Sequence, residues 1–479
     1  MYLFVTISIF NMKKYSLVCL LVFVCWVSIA QKPAAYEHLI IYGQSLSTGQ
    51  QSWPPLSTTP IANNYMIGSQ VWTNYNNPAT NLLNPLIANV AVDKFMNQPK
   101  SSQGQLSCEC PIVGAANYIQ IKTNGRYKVI ASSCGFGGKT IEQLSKEYYD
   151  PIHYSDFTHC ISYASAISSS VHCPALFWMQ GEYNYLYGSD TATNGLQKDG
   201  ASTANKNLYK SLLLKLKNNM QHDIMAQYHQ TDKPLFITYQ VGKQYTKGNT
   251  LEIGMAQLEA SNENRDIVCA GPVYWAPDRN GHLDPNGYRW YGELLGKVYY
   301  QTKVLRKPFK PLQPQKIARL KDPKTLRIDF LVPHKPLVID SNLVKKADNY
   351  GFEIFVNGKK NEIDSLYIEG NSVFLLCRNN LKGDIEVLYA GKNNRGRGNL
   401  RDSDKAVATT NYLDLDKKNE NGVYVFEREA TAKTLRPAYE PKDQQGIVIY
   451  DKPYPLYNFC VAFYYKLNTN STSFKVPGL

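Results

Sequence analysis

Short apolar runs alternate with helical patterns from about residue 35 to residue 300. Five of these runs are continuously hydrophobic, as is typical of strands that are buried on both faces of a sheet. We predict strands at residues 39–42, 127–131, 175–179, 235–239 and 266–270. Between the third and the fourth, residues 207–229 carry Leu208, Leu212 and Leu216 at helical spacing, which predicts an amphipathic crossover helix.

The last helix of this region is predicted to begin at Asp284-Pro285. An aspartate is suited to cap a helix, and a proline is suited to its first position. Strands that alternate with helices indicate an α/β fold. We therefore expect a three-layer α/β/α sandwich around a parallel sheet.

The pattern changes after Arg306. Residues 307–314 are too rich in proline for a helix and indicate a linker. Short β-branched or aromatic runs follow, separated by turns such as Asn357-Gly358, and we predict strands at residues 326–332, 352–356, 373–376, 385–389 and 459–464. This pattern favours a smaller antiparallel β-sandwich. The predicted organisation is a first domain at residues 31–304, a linker at 305–314 and a C-terminal domain at 315–479.

The N-terminus has the pattern of a secretory signal peptide. Lys13 and Lys14 precede a mostly apolar stretch at residues 17–29, and Ser28 and Ala30 are small residues at the positions that a signal peptidase reads. We predict a signal peptide at residues 1–30, cleavage after Ala30, and a secreted or periplasmic protein. A retained membrane anchor is the alternative, although the apolar stretch is short for a spanning helix. No later segment is long and apolar enough to predict a membrane span.

Composition narrows the class of partner. The chain has 479 residues, 43% hydrophobic and 19% charged, which is ordinary for a globular protein. Its formal charge of +13 either favours an anionic ligand such as an acidic glycan or reflects a solvated lysine-rich surface. The sequence has no arginine-rich arm and no zinc-knuckle spacing, so we expect no nucleic-acid partner. Nothing in the sequence fixes the oligomeric state.

Eight cysteines remain after removal of the predicted signal peptide. An oxidising location would permit disulfides. Bridges between Cys108 and Cys110 and between Cys160 and Cys173 are compatible with the sequence, but connectivity cannot be read from it, and free buried thiols are the alternative. No Cys-x-x-Cys occurs, so no metal site is predicted.

Four chemically suggestive groups each follow one of the predicted strands. They are Ser45, the glycine pair 137–138, residues 180–182 and His282. In open α/β sheets, ligands bind at the carboxyl ends of the strands. We therefore expect these four loops to meet at one edge of the sheet.

With these four groups in place, the chain resembles the SGNH (GDSL-like) hydrolases. Within them it is most similar to the branch of sialate O-acetylesterases and related carbohydrate acetylesterases. The matching blocks are Gly43-Gln44-Ser45, Gly137-Gly138-Lys-Thr-Ile141, Gln180-Gly181-Glu182-Tyr-Asn184 and the block around His282. The resemblance covers about residues 36–300. It implies an SGNH, flavodoxin-like fold and a serine carboxylic-ester hydrolase of the acetylesterase type that needs no metal or organic cofactor.

The resemblance also implies roles for individual residues. Ser45 would be the nucleophile and His282 the base that takes its proton. The oxyanion hole would use the backbone N–H groups of Ser45 and Gly138 and the side-chain amide of Gln180. Supporting positions around substrate and loops are assigned to Gln44, Gly137, Glu182 and Asn184. Of these, Glu182 is expected to hydrogen-bond the loop that carries Ser45.

The chain departs from the family pattern at two points. Asn184 stands where the family usually has aspartate, and Asp278 precedes His282 by one residue more than usual. In one interpretation Asp278 still orients the imidazole and completes a triad. In the other, His282 uses a backbone carbonyl and a dyad remains. The sequence leaves both open.

We expect an exported carbohydrate esterase that hydrolyses O-acetyl or other acyl esters on an oligo- or polysaccharide. Beside Gln180, the tyrosines Tyr183, Tyr185 and Tyr187 are placed either to stack on sugar rings or to pack in the core. The alternatives are a noncatalytic glycan-binding protein on the same scaffold and an SGNH lipase or thioesterase. The sequence specifies neither the glycan nor the acyl group.

Overall fold

The protein is described by a computed structural model that covers residues 35–52, 54–73, 82–91, 107–246, 248–279, 281–415, 420–421 and 451–479. The predicted signal peptide lies outside these residues. Within them, no helix has both the length and the apolar character needed to cross a membrane.

The first region is built on a large sheet in which β1 is central. Its strands and those of two small hairpins are β1 (Tyr36–Gly43), β2 (Asn64–Ile67), β3 (Leu83–Pro85), β4 (Val90–Ala91), β5 (Ser107–Cys108), β6 (Val129–Ser133), β7 (Val171–His172), β8 (Ala175–Met179), β9 (Leu235–Gln240), β10 (Ile267–Pro272), β11 (Asp278–Arg279) and β12 (His282–Leu283). The order across the large sheet is β10-β9-β8-β1-β6-β2-β3, with β7 paired to β1. All pairs are parallel except β2 with β3.

Among the described residues of this region, seven α-helices accompany these strands. They are α1 (Ser45–Thr48), α2 (Pro111–Lys122), α3 (Ile152–Ile167), α4 (Glu182–Tyr187), α5 (Lys206–Tyr228), α6 (Glu252–Glu263) and α7 (Pro285–Tyr299). A π-helical turn at Tyr300–Val304 extends α7. The predicted crossover helix is α5, which begins after Asn205, whose side chain caps it. Asp284 and Pro285 occupy the cap and first position of α7, as expected.

The central strands are buried on both faces, which explains their unbroken hydrophobicity. All five residues of β8 and the last six of β1 are buried, so helices or loops cover both sides of the sheet. The five predicted strands of this region are β1, β6, β8, β9 and β10, and their spatial order corresponds to the doubly wound order 2-1-3-4-5. The region is thus α/β with a largely parallel, mixed sheet. The finer three-layer sandwich stays a prediction.

The second region is rich in antiparallel strands. These are β13 (Gln313–Arg319), β14 (Thr325–Leu331), β15 (Val338–Ile339), β16 (Phe352–Val356), β17 (Lys359–Asn361), β18 (Ile363–Glu369), β19 (Ser372–Cys377), β20 (Ile385–Tyr389), β21 (Leu400–Arg401), β22 (Val407–Asn411), β23 (Pro453–Pro455), β24 (Phe463–Leu467) and β25 (Ser473–Lys475). A five-stranded sheet has the order β18-β19-β14-β13-β25, and a four-stranded sheet has the order β17-β16-β20-β24. Asn357-Gly358, both with positive φ, form the predicted hairpin turn between β16 and β17.

Residues Tyr36–Leu479 form one compact unit. No helix or strand lies between Val304 and Gln313, where we predicted a linker. The two regions are joined by buried contacts, such as that between the Gln240 amide and the Ala462 backbone (2.7 and 2.8 Å). The domain boundaries themselves stay a prediction.

The cysteines adopt the alternative state that the sequence left open. All eight from Cys108 to Cys460 are free thiols and all are buried. The bridges considered between Cys108 and Cys110 and between Cys160 and Cys173 are therefore absent from the structure. Buried thiols of this kind pack as small hydrophobic groups.

Candidate active site

The turn that carries Ser45 lies at the carboxyl end of β1. Gly43 has φ +145°, and a Cβ there would lie 2.1 Å from the carbonyl oxygen of Met179 on the neighbouring strand. Only glycine fits such a close approach of two backbones. Ser45 begins α1 immediately afterwards and is 4% exposed. Because β1 lies between β6 and β8, this turn stands where the strand order reverses, which is where doubly wound sheets bind ligands.

His282 meets Ser45 across this edge of the sheet. The imidazole lies on β12, which pairs with β11 just before α7. Its Nε2 is 2.8 Å from Ser45 Oγ, although the two residues are 237 positions apart. The structure thus brings together the two residues that the sequence predicts as nucleophile and base. This distance is within the range for a proton transfer along a hydrogen bond.

The other ring nitrogen of His282 contacts an amide. Gln51 Oε1 is 3.0 Å from His282 Nδ1. When the Ser45 hydroxyl donates to Nε2, the imidazole proton is on Nδ1 and is donated to Gln51. Asp278 lies on β11 with its backbone paired to Leu283, and its side chain is outside the described part of the structure. The triad with Asp278 therefore stays a prediction, while Gln51 is an orienting group that the sequence interpretation missed.

The backbone holds Gln51 firmly in place. Gln51 has φ +65°, a left-handed conformation that is uncommon for residues other than glycine. The Gln50 N–H donates to Ser45 O (3.2 Å), and Tyr288 OH donates to Gln50 O (3.1 Å). On the other side, Ser52 Oγ donates to Glu109 O (2.8 Å). Strained conformations of this type persist where the surroundings fix them, often at functional sites.

Burial sets the protonation state of the base. Removal from water disfavours the charged imidazolium and lowers the pKa of His282 to about 4. The imidazole is therefore neutral at neutral pH. A neutral Nε2 is the form that can accept a proton from Ser45.

Two backbone N–H groups, one in the loop after β1 and one in the loop after β6, have no acceptor among the described residues. They belong to Ser45 and Gly138. Gly138 has φ +66° and follows Gly137, at which a Cβ would lie only 2.8 Å from Gln50 Oε1. The glycine pair thus allows the loop after β6 to pass close to the segment that follows Ser45. This arrangement is compatible with the oxyanion donors implied by the resemblance, which stay a prediction.

Gln180 is engaged elsewhere. It is fully buried, and its Nε2 donates to Lys139 O (3.1 Å) and to Asn184 Oδ1 (2.6 Å). Its Oε1 accepts from Tyr209 OH (2.8 Å). Because both amide hydrogens are donated within the protein, Gln180 holds the loops together in this conformation. An oxyanion contact from Gln180 would require one of these bonds to break.

Gln44 ties the loop of Ser45 to the loop after β8. Gln44 Oε1 accepts hydrogen bonds from the backbone N–H groups of Gly181 (3.2 Å) and Tyr183 (3.1 Å). We expected this linking role for Glu182 instead. The carboxylate of Glu182 is buried and accepts from Tyr239 OH (2.6 Å to Oε1), and burial raises its pKa to about 7.

Asn184 is explained by its neighbour Glu142. Asn184 Nδ2 donates to Glu142 Oε2 (3.1 Å) and to Thr203 O (2.9 Å), while its Oδ1 accepts from Ile141 N–H (2.9 Å). An aspartate here would place a second carboxylate against Glu142 without a proton to donate. The departure from the family pattern therefore fits this particular network.

The three tyrosines of α4 divide between core and surface. Tyr185 is 4% exposed, and its hydroxyl accepts from Gly254 N–H (3.2 Å). Tyr187 is 66% exposed and lies against Tyr183, with ring centroids 4.4 Å apart. Core packing thus accounts for Tyr185 and not for the other two.

Among the described residues, no group of three or more histidine, cysteine, aspartate or glutamate side chains is arranged to hold a metal ion.

The chain is similar to several solved structures at low sequence identity. A carbohydrate acetylesterase from Xanthomonas citri matches with a TM-score of 0.49 and 12% identity, over 76% of this chain and 77% of that one. NanS matches with a TM-score of 0.34 and 14% identity, over 50% of this chain and 78% of that one. Est24, a carbohydrate acetylesterase from Sinorhizobium meliloti, matches with a TM-score of 0.30 and 10% identity, over 56% of this chain and 99% of that one. No protein-family model and no curated protein matches the chain.

Proposed function

We propose that the protein is a serine esterase that hydrolyses acyl esters on a glycan, with acetyl as the acyl group. The observation that carries the proposal is the 2.8 Å contact between His282 Nε2 and Ser45 Oγ at the carboxyl end of β1. A serine hydroxyl is a weak nucleophile unless an adjacent base accepts its proton. A neutral imidazole in hydrogen-bond contact, with its other nitrogen held by Gln51, meets that requirement.

The reaction proceeds through an acyl-enzyme. Ser45 Oγ attacks the ester carbonyl carbon while its proton passes to His282 Nε2, and the carbonyl oxygen becomes an oxyanion. The N–H groups of Ser45 and Gly138 are the donors assigned to that oxyanion. Collapse of the tetrahedral intermediate breaks the ester C–O bond, and the proton on Nε2 leaves with the sugar hydroxyl. Water then attacks the acyl-serine, again with His282 as base, and releases the carboxylic acid.

Export belongs to the same proposal. The N-terminal pattern of basic and apolar residues is of the secretory type, and export would bring the enzyme to polysaccharides outside the cytoplasm. The eight cysteines from Cys108 onward are free thiols, so they provide no disulfide that would support an oxidising location. Detection of the mature N-terminus at Gln31 in exported protein would support the assigned cleavage site.

Hydrolysis of 4-nitrophenyl acetate tests the proposal. We expect the wild type to release nitrophenol with kcat higher than that of Ser45→Ala and of His282→Ala by a factor on the order of 10⁴ to 10⁶. Ser47→Ala is the matched control, because Ser47 lies on the same short helix and its hydroxyl donates to Gln44 O (2.6 Å) rather than to the histidine. A wild type no faster than Ser45→Ala would refute the esterase. A noncatalytic glycan-binding protein would then be the remaining interpretation.

Acyl-chain preference separates the two esterase alternatives. For an acetylesterase, kcat/KM falls as the nitrophenyl ester is lengthened from acetate to octanoate. A lipase or thioesterase gives the reverse order. Acetylated xylan, pectin and sialosides are the glycan substrates to compare, with released acetate as the readout.

A further inference from the structure

The tyrosine pair on α4 stands beside the residues assigned to chemistry. A Cβ added at Gly138 would lie 3.7 Å from the Tyr183 ring, so this ring borders the loop assigned to the oxyanion. The Tyr183 backbone N–H is bound by Gln44 (3.1 Å), the residue directly before Ser45. Tyr183 is therefore held next to two catalytic segments, the loop of Gly138 and the residue before Ser45.

Tyr187 extends this aromatic surface outward. Tyr183 and Tyr187 are four residues apart on α4 and so lie on the same side of the helix. Their ring centroids are 4.4 Å apart with an interplanar angle of 41°, and Tyr187 is 66% exposed. A tyrosine exposed to this degree gains little from burial in the protein. A substrate that lies on the Tyr183–Tyr187 surface beside Gly138 would cover it.

The chemistry of the pair favours a sugar ring over an acyl chain. A tyrosine presents an apolar face and a polar hydroxyl, which matches a pyranose with C–H groups on its faces and hydroxyls at its edge. A long acyl chain would instead require an enclosed apolar pocket. The chain beyond Tyr187 continues with the exposed polar residues Asp190, Thr191 and Asn194.

We infer that Tyr183 and Tyr187 form a stacking platform for the pyranose ring that carries the scissile ester. This inference rests on the proposed function. In that function the ester carbonyl lies between Ser45 and Gly138, and the sugar lies on one side of Ser45. The aromatic faces bind the ring while its hydroxyls stay in contact with water. The platform contributes to the binding of glycan esters and not to the hydrolysis of esters that lack a sugar.

Tyr187→Ala tests the platform. We expect KM for an O-acetylated oligosaccharide to rise about five- to tenfold with kcat kept within about twofold, which corresponds to the usual strength of an aromatic contact. The kcat/KM for ethyl acetate, an ester with no ring to stack on the tyrosines, stays within about twofold of the wild type. Tyr187→Phe keeps the ring and retains most of the affinity. The substrates are O-acetylated xylo-oligosaccharide, O-acetylated oligogalacturonide and an O-acetylated sialoside.

Tyr367→Ala is the matched control. Tyr367 is 51% exposed and stacks on Phe374 with centroids 4.8 Å apart, but it lies on β18 in the second region. It therefore repeats the exposure and the stacking of Tyr187 without the link to Gln44 and Gly138. We expect Tyr367→Ala to leave KM for the sugar esters unchanged.

Several outcomes would overturn the platform. They are an equal loss by Tyr187→Ala on sugar esters and on ethyl acetate, no loss on either, or a loss confined to 4-nitrophenyl octanoate, which would assign the tyrosines to an acyl chain. A wild type that hydrolyses 4-nitrophenyl acetate and neither hydrolyses nor binds any of the three sugar esters would also overturn it, while the esterase would stand.

A binding measurement keeps the two proposals distinguishable. In the Ser45→Ala background, calorimetric titration with the same oligosaccharides measures binding without turnover. If the wild type proves inactive on all esters, Tyr187→Ala must still weaken this binding for the platform to stand. Equal binding with and without Tyr187 would contradict it.

Discussion

At the scale of single residues, the site combines a short hydrogen bond with an unusual partner for the base. His282 contacts Ser45 at 2.8 Å through Nε2 and Gln51 at 3.0 Å through Nδ1. An amide orients the imidazole and fixes its tautomer, but it supplies no negative charge to stabilise the imidazolium. This agrees with the direction of the His282 pKa, which burial lowers.

The pH profile of the wild type should report this environment. Because the pKa of His282 is lowered to about 4, the base is protonated only in acid, and kcat/KM for 4-nitrophenyl acetate is expected to stay level from about pH 7 down to about pH 5. Activity is lost as the pH falls through the folded pKa. A half-maximal point near 6.5, the ordinary value for histidine, would contradict the account.

Substitution of Gln51 tests its role as a positioning residue. Gln51→Ala removes the acceptor at Nδ1, and we expect kcat to fall about 10- to 100-fold with KM little changed, because orientation of the base is lost. Gln51→Glu restores an acceptor and adds a charge that stabilises the imidazolium, so the acid limb of the pH profile moves to higher pH.

A merely structural role for Gln51 would give a different result. Both variants would then lose thermal stability in parallel with activity, and the acid limb would remain in place. Ser47→Ala is the control, since Ser47 lies on the short helix before Gln51 and its hydroxyl donates to Gln44 O (2.6 Å) rather than to His282.

The residues that the sequence predicts and those that it misses differ in one physical respect. Ser45, Gly138 and His282 follow strand ends, and the topology of a parallel sheet brings strand ends together. Gln51 reaches the histidine through a local left-handed turn, and Gln44 replaces Glu182 as the link between loops because of side-chain direction. Neither contact is marked by a hydrophobic pattern in the sequence. Gln51 follows the nucleophile block by six residues, which is the only signal that could have drawn attention to it.

At the scale of elements, α7 determines where His282 lies. The helix begins directly after the β12 strand that carries the histidine, with Asp284 Oδ1 accepting from Gly287 N–H (2.7 Å). On one side α7 packs closely on α2, where a Cβ at Gly292 would lie 2.2 Å from Pro111 O. The position of the base therefore depends on the packing of a whole helix.

Gly292→Ala should disturb this packing. The added methyl group must push α7 away from α2, and we expect the free energy of unfolding to fall by about 1 to 3 kcal/mol, measured by urea titration. The kcat on 4-nitrophenyl acetate should fall with it, because His282 shifts relative to Ser45. Gly254→Ala in α6 is the matched control: its Cβ would meet nothing closer than 3.3 Å, and alanine favours the helix. Equal stability of Gly292→Ala and the wild type would contradict the close contact.

Elements could be predicted where a short apolar or β-branched run is clearly bounded along the chain. The strand at Ala175–Met179 and the strands at Phe352–Val356 and Ile385–Tyr389 have the predicted bounds. By contrast, the predicted strand at residues 459–464 is found at Phe463–Leu467. Helices α2, α3 and α6 were not predicted. At least nine residues in each of α2 and α6 are buried. Neither helix therefore displays the one-sided apolar pattern from which a helix is recognised.

At the scale of the whole molecule, the second region braces the helix that positions His282. Its contacts to α7 recur at helical spacing, through Asn286 to Leu413 O (2.9 Å), Arg289 to Tyr454 OH (3.0 Å), Trp290 to Pro455 O (2.9 Å), Glu293 to Thr409 Oγ1 (2.9 Å) and Lys297 to Asp404 Oδ2 (2.8 Å). The sequence could not show this role, because partners from distant segments share no local pattern. Through these contacts with α7, the β-rich region helps to fix the position of His282.

Lys297 offers a test of this support. Lys297→Met leaves the buried carboxylate of Asp404 without its ammonium partner, and breaking a buried ion pair costs about 3 to 5 kcal/mol. We expect calorimetry to show one unfolding transition for the wild type and one at lower temperature for the variant. The double variant Lys297→Met with Asp404→Asn should recover part of the loss. Two separate transitions in the wild type would indicate that the regions unfold independently.

If Ser45 is the nucleophile, it carries the acyl group during the reaction, and this acyl-enzyme can be trapped. Wild-type protein is mixed with excess 4-nitrophenyl acetate, quenched in acid within the first turnover, digested and analysed by mass spectrometry. The account predicts one acetyl group on the Ser45 peptide, absent from Ser45→Ala and greatly reduced in His282→Ala. Acetylation that is equal in the wild type and in Ser45→Ala, or located on another residue, would contradict it.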